Sequence, residues 1–170
     1  PPMLSAGYTA IPPSIDGTVN PTEWRFAGAA TGFLNIAEAN FAEVQTTVRV
    51  AWDESRLYVG FELPVGPEAL PRTSVMERDS AVWADDSVEL YLLPEGGGES
   101  DVIQAIGNSA GTLFDRRGSD KSWDADWQFV NDVKRGHWSA EMSVTWADLG
   151  VETPRGETWR AQFARSAGVH

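Results

Sequence analysis

"VRVAWDESRLYVGFEL", Val48 to Leu63, decides the fold class. Val48, Val50 and Trp52 recur at every second position, and so do Leu57, Val59, Phe61 and Leu63. Successive side chains of a strand point to opposite faces, so each run makes one apolar face. The short polar stretch Asp53-Glu54-Ser55 separates them, which predicts a β-hairpin over 47–63.

The same signal recurs on either side. Residues 87–93 predict a strand with Val88, Leu90 and Leu92 on one face and Ser87, Glu89 and Tyr91 on the other. Residues 101–107 and 112–115 form another pair around "NSAG", and 128–134 and 138–144 pair across Gly136. A further strand covers 158–164. Helix is scarce. Asn20-Pro21 followed by Glu23 is a capping-box start for one short turn that directs Trp24 inward. Thr145 to Gly150 is a second capped turn. About seven short strands with turn signals between them indicate an all-β, antiparallel β-sandwich of jelly-roll type with one or two helical turns. Residues 1–14 read as an extended, Pro-rich lead-in to a single domain over 15–170.

Composition narrows the chemistry. With 13 basic and 25 acidic residues the formal charge is −12, which repels phosphate backbones and anionic membranes. No apolar run approaches the roughly 20 residues of a membrane span. Pro1 to Leu4 has no basic-then-apolar pattern, so any targeting peptide is expected outside these residues. There are no cysteines, which removes disulfides, thiolate metal sites and Cys nucleophiles. The two histidines are His137 and His170. A nucleophilic triad would depend on His137, which falls in the turn "RGHW" and reads as exposed. Asp85, Asp86, Glu89, Asp115 and Glu141 offer carboxylates for glycoside hydrolysis, but nothing in their spacing sets two of them across a cleft. The Gly-rich stretch 95–99 lacks the Lys-Ser/Thr end of a phosphate loop. "DKSWDAD", Asp120 to Asp126, fails the EF-hand pattern: a loop opening at Asp124 has Phe129 where Gly is needed and Arg135 where Glu is needed.

"VWADDSVELYLL", Val82 to Leu93, is the candidate site. Trp83 stands at the entrance of a strand, and Glu89 stands on the face opposite its apolar residues. A sugar ring has an apolar C–H face and a fringe of hydroxyls. An indole covers the first, and carboxylates and amides take the second. Trp83, Glu89 and an amide from Asn108 or Gln104 would supply both. The competing reading makes Trp83 a cap on the end of the sandwich and Glu89 a solvated strand residue.

Six stretches in order resemble family 9 carbohydrate-binding modules. They are "IDG…EW" (Ile15 to Trp24), "VRVAWDESRLYVGFEL", "VWADDSVELYL", "NSAGTLFD" (Asn108 to Asp115), "GHWSAEMSVTWADLG" (Gly136 to Gly150) and "WRAQFAR" (Trp159 to Arg165). The resemblance implies a β-sandwich appended to a secreted (extracellular or periplasmic) polysaccharide-degrading enzyme. It implies no catalysis and implies structural calcium, for which Asp85, Asp86 and Asp16 are the candidate ligands. It assigns Trp83, Glu89 and Asn108 to the sugar and puts Trp24, Trp52, Trp138, Trp146 and Trp159 in the framework. Three departures stand out. Ile106 occupies the family's arginine position, and Ala164 that of a glutamine. The family's second sandwiching tryptophan follows the Arg165 strand, whereas these residues end at His170, as if a C-terminal segment were lacking; Trp123 is the candidate partner ring. Two other functions compete. One is an accessory sandwich that packs on a catalytic domain without a ligand. The other is a haem-b electron-transfer domain, for which Met76, Met142 and His137 form no recognisable axial pair.

Overall fold

The computed structural model describes residues 2–67, 69–152 and 154–167; His170 lies outside them. In chain order the strands are β1 (Gly7–Tyr8), β2 (Gly28–Ala30), β3 (Leu34–Asn35), β4 (Asn40–Phe41), β5 (Thr47–Trp52), β6 (Arg56–Pro64), β7 (Ser87–Pro94), β8 (Ile103–Asn108), β9 (Leu113–Arg117), β10 (Gln128–Lys134), β11 (His137–Thr145) and β12 (Trp159–Ser166). One α-helical turn, α1 (Trp146–Leu149), and 3-10 turns at Val82–Ala84 and Glu99–Asp101 accompany them. The chain forms two compact units: Pro1–Leu70 with Gln128–Ser143, and Pro71–Trp127 with Val144–His170.

The first unit holds a sheet in the order β1-β5-β6-β11-β10, with β2 also on β5. The β5–β6 hairpin forms as its alternation requires, Val48 opposite Phe61, Val50 opposite Val59 and Trp52 opposite Leu57. Within the lead-in, Gly7 and Tyr8 add a parallel strand beside Ala51 and Trp52. On the other face of the hairpin, Val19 and Trp24 pack with Ala51 and Tyr58. Gly60 makes room for them, since a Cβ there would sit 3.1 Å from the Trp24 ring.

Glu141 holds this cover in place. Its carboxylate is fully buried and accepts hydrogen bonds from Trp24 Nε1 (2.8 Å), Asp16 N (2.9 Å) and Gly17 N (2.8 Å). The "IDG…EW" stretch therefore has a structural cause. Gly17 has φ +92°, and a Cβ there would lie 2.4 Å from the Asn131 carbonyl carbon, so only glycine fits. The Asn20 turn forms with Asn20 Oδ1 accepting from Thr22 N at 2.9 Å. The reciprocal half of the expected capping box is missing, because Glu23 instead accepts from the backbone and hydroxyl of Ser14.

The second unit holds the antiparallel sheet β12-β7-β8-β9. Val88, Leu90 and Leu92 share one buried face with Ile103 and Ala105. Glu89 and Tyr91 share the other with Gln104, Ile106, Phe114, Arg116 and Gln162. Thr145 caps α1 by accepting from Asp148 N at 3.1 Å, and Gly150 closes it at φ 77°. Of the framework tryptophans, Trp24, Trp138 and Trp146 are buried. Trp159 is half-buried, as is Trp52, which meets Tyr8 edge-on at 5.0 Å.

Candidate functional site

Trp83 lies in the 3-10 turn Val82–Ala84, immediately before β7. Val82 anchors this turn, fully buried in an apolar cluster with Ile106 and Phe114, against which Val75 packs. The Trp83 ring meets Phe114 nearly at right angles, centroids 5.3 Å apart, and remains 48% exposed. The indole is thus supported from below and open above. Ile106, at the family's arginine position, belongs to the support.

The loop before this turn is pinned by the two adjacent aspartates. Asp85 is 2% exposed. Its carboxylate accepts from Ser74 N (3.0 Å), Ser74 Oγ (2.7 Å), Val75 N (2.8 Å) and Asn108 Nδ2 (3.0 Å). Burial pushes its pKa up, but the hydrogen bonds from Val75, Ser74 and Asn108 outweigh that and hold the carboxyl below its ordinary range. Asp86 accepts from Arg72 N at 2.8 Å and returns its own N–H to Arg72 O at 3.0 Å. Two like charges can stand together here because each faces its own set of N–H donors.

These surroundings bear on calcium. The atoms around Asp85 are N–H and O–H donors, the opposite of the oxygen lone pairs that calcium requires. Asp16 belongs to the other unit and accepts from Thr18 N. Among the described residues no three His, Cys, Asp or Glu side chains converge to hold a metal ion. As placed, Asp85, Asp86 and Asp16 do not fit a calcium ion. A separate group of carboxylates, Asp79, Asp115 and Asp124, converges instead on the Arg78 guanidinium.

The other candidate residues fall into two sets. Glu89 and Gln104 meet: Gln104 Nε2 lies 3.4 Å from Glu89 Oε2 and 2.5 Å from the Tyr91 hydroxyl, which donates to Glu89 Oε2 at 2.9 Å. Arg116 Nε donates to Gln104 Oε1 at 2.5 Å. Burial and the hydrogen bond to Glu89 push the Tyr91 pKa up to about 12, so its hydroxyl keeps its proton. Asn108 stands apart from this group. It is fully buried, donates to Val75 O and Asp85, and accepts from Ala110 N and Thr112 N. Its amide holds the loop that carries Trp83. Trp123 is half-buried.

Glu89, Ile106 and Phe114 lie side by side on adjacent strands of this face. At roughly 4.8 Å per strand, the Glu89 backbone is about 10 Å from that of Phe114, whose ring supports Trp83. The arrangement is a ring at one end of a sheet face and a fixed hydrogen-bond acceptor beside it. It suits a ligand with one apolar face and a rim of hydroxyls. The carboxylates of Asp85, Asp115 and Glu141 are all buried, so none is open to solvent for acid–base chemistry. His137 is exposed in its turn.

Tyr91, Arg116 and Gln162 were not among the sequence candidates. Strand alternation already puts Tyr91 on the Glu89 face. Arg116 and Gln162 join it only through the register of β9 and β12. Gln162 pairs opposite Tyr91, and Ala164 opposite Glu89, so this face carries a glutamine two residues before the expected position.

Solved structures share the fold. A family 9 carbohydrate-binding module from Caldicellulosiruptor kristjanssonii, in complex with cellotriose, aligns with a TM-score of 0.67 at 17% identity over 96% of this chain and 77% of that one. The module from the same organism in complex with glucose gives 0.67 at 18% identity over 93% and 74%. A candidate carbohydrate-binding protein of Bacteroides uniformis gives 0.73 at 17% identity over 95% and 82%. The fold class is therefore the all-β, antiparallel β-sandwich. No curated protein sequence matches the chain. The family model described as carbohydrate family 9 binding domain-like matches residues 15–159, and the chain belongs to that family.

Proposed function

We propose that this domain is a non-catalytic module that binds a neutral polysaccharide or oligosaccharide and tethers a linked enzyme to it. One sugar ring stacks its C–H face on Trp83, and its hydroxyls donate to Glu89. The observation that carries this reading is the half-open Trp83 ring, supported by Phe114 and set beside the Glu89 face. A family 9 fold and two neighbours solved in complex with cellotriose and with glucose support it. Tethering works through effective concentration: a bound module keeps its linked partner within linker reach of the glycan. A polysaccharide ligand also favours a secreted or extracellular place of action.

The test is calorimetric titration of the wild type and Trp83→Ala with glucose, cellotriose and a broader glycan panel. The wild type is expected to bind, and the variant to lose at least roughly 30-fold, as a central aromatic anchor does. Half the ring is already exposed, so the stability cost should not exceed about 2 kcal/mol. Unchanged affinity in the variant would remove Trp83 from the site. A wild type that binds no glycan would leave the ligand-free accessory reading.

A further inference from the structure

Glu89 sits at the end of a hydrogen-bonded chain that crosses three strands. Arg116 Nε on β9 donates to Gln104 Oε1 on β8. Gln104 Nε2 reaches the Tyr91 hydroxyl and Glu89 Oε2 on β7, and the Tyr91 hydroxyl also donates to Glu89 Oε2. A second bond, from Arg116 Nη1 to Gly118 O at 2.8 Å, fixes the guanidinium itself. The direction of the chain is set by its ends. An arginine is a donor only, so it faces the amide oxygen of Gln104. That orients the amide nitrogen toward Tyr91 and Glu89, and both donors fall on one carboxylate oxygen. Glu89 Oε1 has no partner among the described residues.

We infer that Tyr91, Gln104 and Arg116 are positioning residues for Glu89, a relay that fixes its carboxylate so that the free oxygen is presented to a sugar hydroxyl before the ligand arrives. This rests on the proposed sugar contact at Glu89. It changes the role expected of Gln104. Gln104 is 6% exposed and both ends of its amide are committed, so it acts through Glu89 instead of touching the sugar. The physical gain is preorganisation. A glutamate side chain gives up considerable rotamer freedom when it is immobilised, and here that cost is met in folding, not in binding. The relay uses side chains from β7, β8 and β9, so it exists only once the sheet has its register.

The experiment is a double-mutant cycle read by calorimetric titration with cellotriose and glucose, using wild type, Tyr91→Phe, Glu89→Ala and the double variant. Tyr91→Phe removes one oxygen and keeps the ring. It should weaken binding about threefold to tenfold, the range of one lost hydrogen bond, with little change in melting temperature. In the Glu89→Ala background the same change should have little further effect, because the acceptor it serves is gone. Gln104→Met, close in size, should weaken binding in the same way and be equally silent behind Glu89→Ala. A merely structural role would lower stability and leave affinity alone. Wild-type affinity in Tyr91→Phe, or full additivity in the double variant, overturns the relay while leaving the Trp83 reading intact. No binding by the wild type overturns both.

Discussion

Asp85→Ala tests the idea that the charge beside Trp83 is a structural pin. The carboxylate is 2% exposed and takes hydrogen bonds from four donors: Ser74 N, Ser74 Oγ, Val75 N and Asn108 Nδ2. Each hydrogen bond to a charged acceptor contributes roughly 1.5–3 kcal/mol, but the four do not add. Once the carboxylate is gone, residues 73–75 can lift and let water satisfy their N–H groups. A net loss of about 3–5 kcal/mol is expected, the size seen when a buried charged network loses one member. For a chain of 170 residues that is on the order of 10 °C in Tm. The assay is urea and thermal unfolding across pH. The folded pKa of Asp85 lies below its ordinary value of 3.8, so its contribution is complete above that value. It is lost as pH falls through the lowered folded pKa, and wild type and variant should converge only in strong acid. Calcium chelation should not reproduce the loss in the wild type. A variant within about 1 kcal/mol of wild type at pH 7, or a difference unchanged at about pH 2, would refute the reasoning. So would a chelated wild type that matches the variant.

Two further substitutions probe the first unit. Gly17→Ala forces a Cβ to within 2.4 Å of the Asn131 backbone at φ +92°, so a loss of roughly 3 kcal/mol or more is expected in urea unfolding. Glu141→Gln should flatten the pH dependence of stability between neutrality and about pH 4.5. Burial raises the Glu141 pKa above its ordinary 4.5 despite the hydrogen bonds from Trp24, Gly17 and Asp16. The folded state therefore takes up its proton first, so this group adds stability as pH falls through the raised folded pKa, levelling off near the unfolded value. A variant with the wild-type slope in that window would show that Glu141 does not titrate there.

Much of the molecule is legible in its sequence. Period-two alternation is a local property of the chain, so Val48 to Leu63 and Val88 to Leu92 announce their strands and buried faces without any partner. Glycine and capping residues are local in the same way, which is why the turn from Thr145 to Gly150 is correct to the residue. Alternation also puts Glu89 and Tyr91 on one face, with Trp83 at the strand entrance. The roles of the polar residues depend on neighbours far away in the chain, and only the tertiary structure decides them. Asn108 carries the chemistry of a sugar contact, yet it is spent on Asp85 and Val75 across 23 and 33 residues. Asp85 has the look of a metal ligand and serves N–H groups instead. Arg116 joins Glu89 through the register of β8 with β9 and β7, a relation between strands that one strand's own pattern does not contain. Composition and periodicity determine which residues are buried. The pairing of strands determines which of the buried polar groups are spent on folding and which remain to meet a ligand.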